Sequence, residues 1–216
     1  MISINAPFIT IEGIDGSGKT SVIEALKADL GTENILFTRE PFEKGFRSEI
    51  HESIKNGYSP LSVLFLFLAD RAEHIEKIIK PALQKGIPVI SDRYMDSTIA
   101  YQGATLEDHF NDDKLSMLSQ LHNGWALTPD LTILLNLSEN EALERLSKRT
   151  DTYIEEFEKL DLLRSIRHNF LTLTCKEPDR FVIVNANQPP EKVLQDVKDI
   201  LSKYLTIPKN KLIVCD

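Results

Sequence analysis

Residues 13–20 read Gly-Ile-Asp-Gly-Ser-Gly-Lys-Thr, and the residues on either side decide what such a stretch can fold into. Pro7, Phe8, Ile9, Thr10 and Ile11 form an apolar run before it, and Val22, Ile23, Leu26 and Leu30 follow at helical spacing. Strand, glycine loop and helix in that order are the context of a P-loop. Gly13, Gly16 and Gly18 let the backbone turn its N–H groups inward around phosphate oxygens, with Ile14, Asp15 and Ser17 completing the loop. Lys19 then reaches the β and γ phosphates, and the Thr20 hydroxyl is placed to ligate Mg²⁺. The anion lies at the positive end of the following helix. An accidental glycine turn would match this pattern in roughly one chain per hundred of similar length; the flanking strand and helix set that alternative aside. The motif specifies a phosphate donor and leaves the acceptor open.

Four further apolar runs predict strands at residues 34–38, 87–91, 131–137 and 181–184, each separated from the next by helical periodicity. Gly31 is the expected cap of the first helix, and Ser59-Pro60 pairs an N-cap with a first-turn proline to open a long helix running to Gly86. Further helices are expected over residues 139–149, over 154–175 and through Val193, Val197 and Leu201 to Tyr204. Five continuously apolar strands alternating with helices predict an α/β fold: a P-loop NTPase-type, five-stranded parallel sheet with helices on both faces. Ligands of such sheets collect at the carboxyl ends of the strands. The glycine loop, Arg39 and Asp92-Arg93 all stand at such ends.

The net charge of −8 argues against non-specific binding to nucleic acid or an anionic membrane, so any phosphate specificity must come from placed residues. Cys175 and Cys215 form no CxxC pair, and the five histidines show no metal-ligand spacing. No secretory signal opens the chain, and the most apolar run, residues 61–69, is too short to span a bilayer; a cytoplasmic protein is expected.

A P-loop protein can be a GTPase, a mechanical ATPase or a small-molecule kinase. No Asn-Lys-x-Asp segment for reading guanine is present. After the third strand comes Asp92-Arg93-Tyr94-Met95-Asp96-Ser97-Thr98-Ile99-Ala100-Tyr101-Gln102-Gly103, and here the chain resembles the thymidylate kinases, which convert dTMP to dTDP with ATP. Thr38-Arg39-Glu40-Pro41, Phe67-Leu68-Ala69-Asp70-Arg71-Ala72 and Leu163-Arg164-Ser165-Ile166-Arg167 agree with that family, and the resemblance runs from about Phe8 to Tyr204. It implies one kinase domain over residues 1–205, with a lid at about 145–156 and a tail at 206–216, and ATP, Mg²⁺, dTMP and a second copy of the chain as partners.

Read physically, Asp92 ends a strand beside the P-loop, where a carboxylate orients Mg²⁺ directly or through water. Arg39 and Arg93 stand at strand ends, and a guanidinium fork suits a phosphate dianion. In the family these positions hold the phosphate of dTMP. Phe67 and Arg71 share one helix face; without the resemblance, Phe67 reads as core. The resemblance implies that Phe67 stacks on thymine and Arg71 bonds its O4. It further implies that Tyr101 lies against the deoxyribose where a 2′-hydroxyl would clash, that Thr98 and Gln102 line the pocket, and that Asp15 stands near the 3′-hydroxyl. Arg149 is the expected lid arginine at the phosphates with Lys148 as its rival, and Arg145 is expected near the adenine or the ATP phosphates; a solvated basic helix end is the plain alternative.

The chain departs from the family pattern in three places. Phe42-Glu43-Lys44-Gly45 stands where two glycines and a threonine are usual, the lid is about one residue short, and Asn185-Ala186-Asn187 replaces Asp-Ala before the last helix. Two other readings stay open at this point. A deoxyribonucleoside kinase would use Glu40 as base for a neutral 5′-hydroxyl, and a non-catalytic nucleotide-binding subunit would keep the loop without transfer.

Overall fold

The computed structural model describes residues 6–106, 113–148 and 156–205. β1 (Phe8–Glu12) leads through the glycine loop into α1 (Lys19–Leu30), and β2 (Leu36–Arg39) is followed by α2 (Arg47–Lys55) and α3 (Pro60–His74). After α4 (Lys80–Gln84) come β3 (Val89–Asp92), α5 (Met95–Thr105) and α6 (Lys114–Gln120). β4 (Leu131–Asn136), α7 (Glu139–Ser147), α8 (Glu156–Lys176), β5 (Phe181–Asn185) and α9 (Pro190–Tyr204) complete the described chain.

All pairings are parallel and the strand order is β2-β3-β1-β4-β5, so β1 is central and β3 separates it from β2. The registers Ile11↔Asp92 and Arg39↔Asp92 bring the ends of three strands together. Ile9, Ile11, Val89, Ile90, Leu131 and Ile133 are fully buried, each contributing roughly 1.5–3 kcal/mol by leaving water. The inner strands β1, β3 and β4 are covered on both faces as the apolar runs required, and the edge strands β2 and β5 are covered in part.

Gly31 caps α1 by donating to Lys27 O (3.1 Å), and the Ser59 hydroxyl accepts from Ser62 N–H (3.2 Å) at the start of α3. The long helix expected to reach Gly86 runs without interruption from Pro60 to Gln84, with a π-helical stretch, Ile75–Ile79, inside it. Pro81, lacking an amide hydrogen for the preceding turn, follows at once. The turn still buries Ile75 and Ile79 against Phe8 and Val89.

A polar network fastens α5 to the sheet. Arg180, just before β5, donates to both Asp96 oxygens (2.7 Å each) and to Thr132 Oγ1 (2.8 Å). Thr132 donates in turn to Asp96 Oδ2 (3.0 Å) and lies 2.9 Å from Thr10 Oγ1. Asp96 is fully buried, so its charge is tolerable only because a forked guanidinium neutralises it. Among the described residues no helix is long and apolar enough to cross a membrane.

Removing Asp96 should leave both Nη groups of the buried Arg180 without a carboxylate, with Glu177 holding only its Nε (2.6 Å). Asp96→Ala is expected to lower the unfolding free energy by about 3 kcal/mol, read from urea denaturation; a loss near zero would show that Arg180 finds another partner.

Candidate active site

The glycine loop closes on itself. Ser17 N–H donates to Ile14 O (3.2 Å), and Lys19 Nζ donates to Gly13 O (2.9 Å), Ile14 O (2.9 Å) and Ser17 Oγ (3.3 Å). Gly13 has φ +148°, and a Cβ there would stand 2.7 Å from Leu135 O of β4, so only glycine fits. Lys19 is buried, and burial followed by the nearby Arg93 charge pushes its ammonium down to about 7. Thr20 is exposed at the start of α1. Asp92 is nearly buried, and its Oδ1 has no hydrogen-bond partner among the described residues.

Arg93 follows in a left-handed conformation, φ 68°, which costs a non-glycine residue free energy and persists because its surroundings fix it. Its N–H donates to Ile11 O (3.1 Å), its carbonyl accepts from Ser91 Oγ (2.7 Å), and the next N–H, of Tyr94, donates to Glu12 Oε1 (2.8 Å). The guanidinium donates to Gly13 O (3.3 Å), Ser97 Oγ (3.0 Å), Asp15 Oδ1 (2.5 Å) and Tyr101 Oη (3.1 Å). It also lies 4.9 Å from the centre of the Tyr101 ring. Each terminal nitrogen of Arg93 thus joins the glycine loop, at Gly13 or Asp15, to the neighbouring cavity, at Ser97 or Tyr101.

That cavity has a volume of about 420 Å³. Asp15, Arg93, Ser97 and Tyr101 line one part of it, and Phe67, Arg71, Thr98 and Gln102 another. Phe67 is half-buried on its wall, so it is not sealed into the core. Gln102 Oε1 is buried there without a partner among the described residues. Arg71 is buried beneath, donating to Glu40 Oε2 from Nε (2.9 Å) and Nη2 (2.5 Å) and to Thr98 Oγ1 (2.9 Å). Glu40 Oε1 accepts from His74 Nδ1 (3.0 Å). Burial raises the Glu40 carboxyl, but Arg71 and His74 outweigh it and hold the group below the usual carboxylate range.

Arg39 is exposed at the end of β2 and does not line the cavity. The loop after it, which departs from the family pattern, is clasped by Asp70: its oxygens accept from Phe42 N–H (2.7 Å) and Phe46 N–H (2.8 Å). A Cβ on Gly45 would come 2.4 Å from Asp70 Oδ1, so the loop shape depends on that glycine. Arg145 donates to Glu141 (2.9 Å), to Gly16 O (3.4 Å) and to Ala186 O (3.3 Å), linking the glycine loop to the turn after β5. Lys148 is exposed and paired with Glu144 (2.7 Å). Arg149, most of the expected lid and the tail at 206–216 lie outside the described residues.

Sequence reading missed Glu12, Ser97, His74 and His122. Glu12 carried a signal, since a carboxylate closing an apolar strand is costly unless it is bonded. Ser97 donates to its Oε2 at 2.6 Å. His74 and His122 carried none, because their partners Glu40 and Arg71 lie 34 and 51 positions away along the chain.

A central parallel strand, a glycine loop holding a buried lysine, and an arginine joining that loop to a neighbouring cavity define a P-loop kinase of a small molecule. A family model described as thymidylate kinase matches residues 11–197. The chain is 38% identical over 197 residues to a probable thymidylate kinase of Methanococcoides burtonii, covering 91% of this chain and 96% of that one. It is 42% identical over 200 residues to one of Methanosarcina mazei, covering 91% and 94%. A crystal structure of thymidylate kinase from Ehrlichia chaffeensis matches with a TM-score of 0.70 and 30% identity, covering 91% and 99%. The chain belongs to the thymidylate kinase family.

Burial, followed by the Asp96 charge, pushes Glu12 up to about 8 from its ordinary value near 4.5. The folded protein therefore holds a proton that the unfolded chain has released between those values, and this contribution to stability is lost as pH rises through 8. Glu12→Gln should gain stability relative to wild type steadily from pH 5 to pH 8 in urea melts; a constant difference would mean that Glu12 is ionised throughout.

Proposed function

We propose that this chain transfers the γ-phosphoryl group of ATP to dTMP, giving dTDP and ADP. The observation that carries the reading is the position of Arg93, which bonds Gly13 O of the phosphate loop and also Asp15 and Tyr101 of the cavity. Donor and acceptor phosphates then meet at one guanidinium. Gly13, Ile14, Asp15, Gly16, Ser17, Gly18, Lys19 and Thr20 take the triphosphate, and Arg145 braces the side where the adenine lies. Membership of the family supports ATP as donor and dTMP as acceptor.

In this reading the cavity takes dTMP with its base towards Phe67 and Arg71 and its phosphate towards Arg93, with Arg39 completing the phosphate site from the end of β2. Phe67 stacks on thymine, Arg71 donates to O4, and the unpartnered Gln102 Oε1 offers an acceptor beside Thr98. Tyr101 packs against the sugar and Asp15 receives its 3′-hydroxyl. An ionised acceptor phosphate needs no general base, so alignment and charge neutralisation carry the rate. Arg149 is the proposed lid cation.

The Thr20 hydroxyl and the orphaned Asp92 Oδ1 fit a Mg²⁺ ion carried in with ATP. Such an ion neutralises phosphate charge. Among the described residues no group of three or more His, Cys, Asp or Glu could hold a metal, which supports a site completed by phosphates and water. The enzyme is proposed to work in the cytoplasm as a homodimer; the exposed apolar Phe65 side chain of α3, away from the cavity lining, supports the second part.

Thymidine as acceptor would require Glu40 as base. Both Glu40 oxygens are engaged by Arg71 and His74 and its proton affinity is lowered, which favours the monophosphate. The deciding assay is ADP release with ATP and Mg²⁺, offering dTMP, dUMP, thymidine, dCMP, AMP and GMP separately. Turnover is expected with dTMP; activity with thymidine alone, or silence with every acceptor, overturns the proposal.

Lys19 gives a second test. With its ammonium near 7 in the empty loop, most of it is uncharged at pH 8, and bound phosphates favour the charged form. ATP binding at pH 8 should take up most of a proton, measured by calorimetry in buffers of different ionisation enthalpy. Lys19→Met should abolish that uptake, and equal uptake in both proteins would assign the proton elsewhere.

A further inference from the structure

Arg71 carries five N–H donors. Nε donates to Glu40, Nη2 to Glu40 and Thr98, and Nη1 to His122 Nε2 at 2.8 Å. One Nη1 hydrogen remains for a ligand in the cavity whose wall Arg71 forms. His122 is buried and does not itself line the cavity. Its Nδ1 lies 3.0 Å from Leu118 O, which can only accept. The ring proton must therefore sit on Nδ1, leaving Nε2 as an acceptor facing the guanidinium. The Trp125 ring stacks on the imidazole, 5.8 Å between centres at 25°, and holds its plane. Burial, followed by the Arg71 charge, pushes the imidazole down to about 4, so it stays neutral at working pH.

We infer that His122 is a positioning residue for base selection: its Nε2 engages one Nη1 hydrogen of Arg71 and so leaves the other to face a carbonyl on the acceptor base. The inference rests on the acceptor reading above and deepens it. A pyrimidine with a 4-keto group accepts that hydrogen. A 4-amino group would set donor against donor in a buried site, where an unpaired polar group is costly. Glu40 and Thr98 hold Nε and Nη2, and the Tyr94 ring lies 5.0 Å from the guanidinium carbon, so the plane is set by them and His122 supplies the partner of Nη1 among the described residues.

The test compares His122→Met, which removes the acceptor, with His122→Gln, which keeps one. For His122→Met the KM for dTMP should rise about tenfold with kcat within about twofold, and the preference for dTMP over dCMP should fall about tenfold. His122→Gln should restore both to within about threefold of wild type. Unaltered KM and preference in a folded His122→Met protein overturns the inference, as does an equal loss in His122→Gln. Should His122→Met fail to fold, long-range proton–nitrogen correlation on the wild-type ring decides: the proton on Nδ1 supports the inference, and on Nε2 overturns it. Wild-type protein inactive on dTMP would instead overturn the acceptor reading itself.

Discussion

The parallel ladder between β1 and β3, with Ile11 opposite Asp92, brings the glycine loop and the Asp92-Arg93 pair to the same end of the sheet. Each strand can only be buried on both faces if helices cross over it, and each crossover carries the chain back to the opposite end, so that every strand finishes at the same one. The arginine that joins loop to cavity is therefore placed by backbone pairing. Its unusual backbone conformation is then fixed by Ile11, Ser91 and Glu12, all of which belong to the same two strands.

The acceptor wall is held differently. Thr98, Tyr101 and Gln102 project from α5, and α5 is anchored through Asp96 to Arg180 and Thr132 on the far side of β1. Arg71 and Phe67 come from α3, anchored through Glu40 to the end of β2. The cavity thus forms between two helices whose attachments are charged and buried. Such attachments add little net stability, yet they allow few alternative packings.

Much of this was legible in the sequence, because the signals were local. The glycine loop, the capped first turn at Ser59-Pro60 and the apolar strands are each written within a few neighbouring residues. The resemblance then supplied the roles of Phe67, Arg71 and Tyr101, and the geometry gathers those residues on one cavity. What stayed hidden depends on partners distant along the chain. Asp96 looked like one more polar residue of a motif, although Arg180 lies 84 positions away. His122 gave no sign of meeting Arg71, and the π-helical stretch at Ile75–Ile79 was masked by an apolar stripe that runs through it. Arg39 does not line the cavity beside Arg93, because a register that places strand ends side by side does not decide where a long side chain points.

A little more than one turn of α3 carries Phe67, Asp70 and Arg71. Phe67 and Arg71 line the cavity, while Asp70 grips the loop at Phe42 and Phe46 that follows the strand bearing Arg39. A single rigid rod therefore ties this wall of the cavity to the loop after β2. Wall and loop cannot shift independently, and in the proposed reading a molecule of the wrong length meets both ends of one ruler.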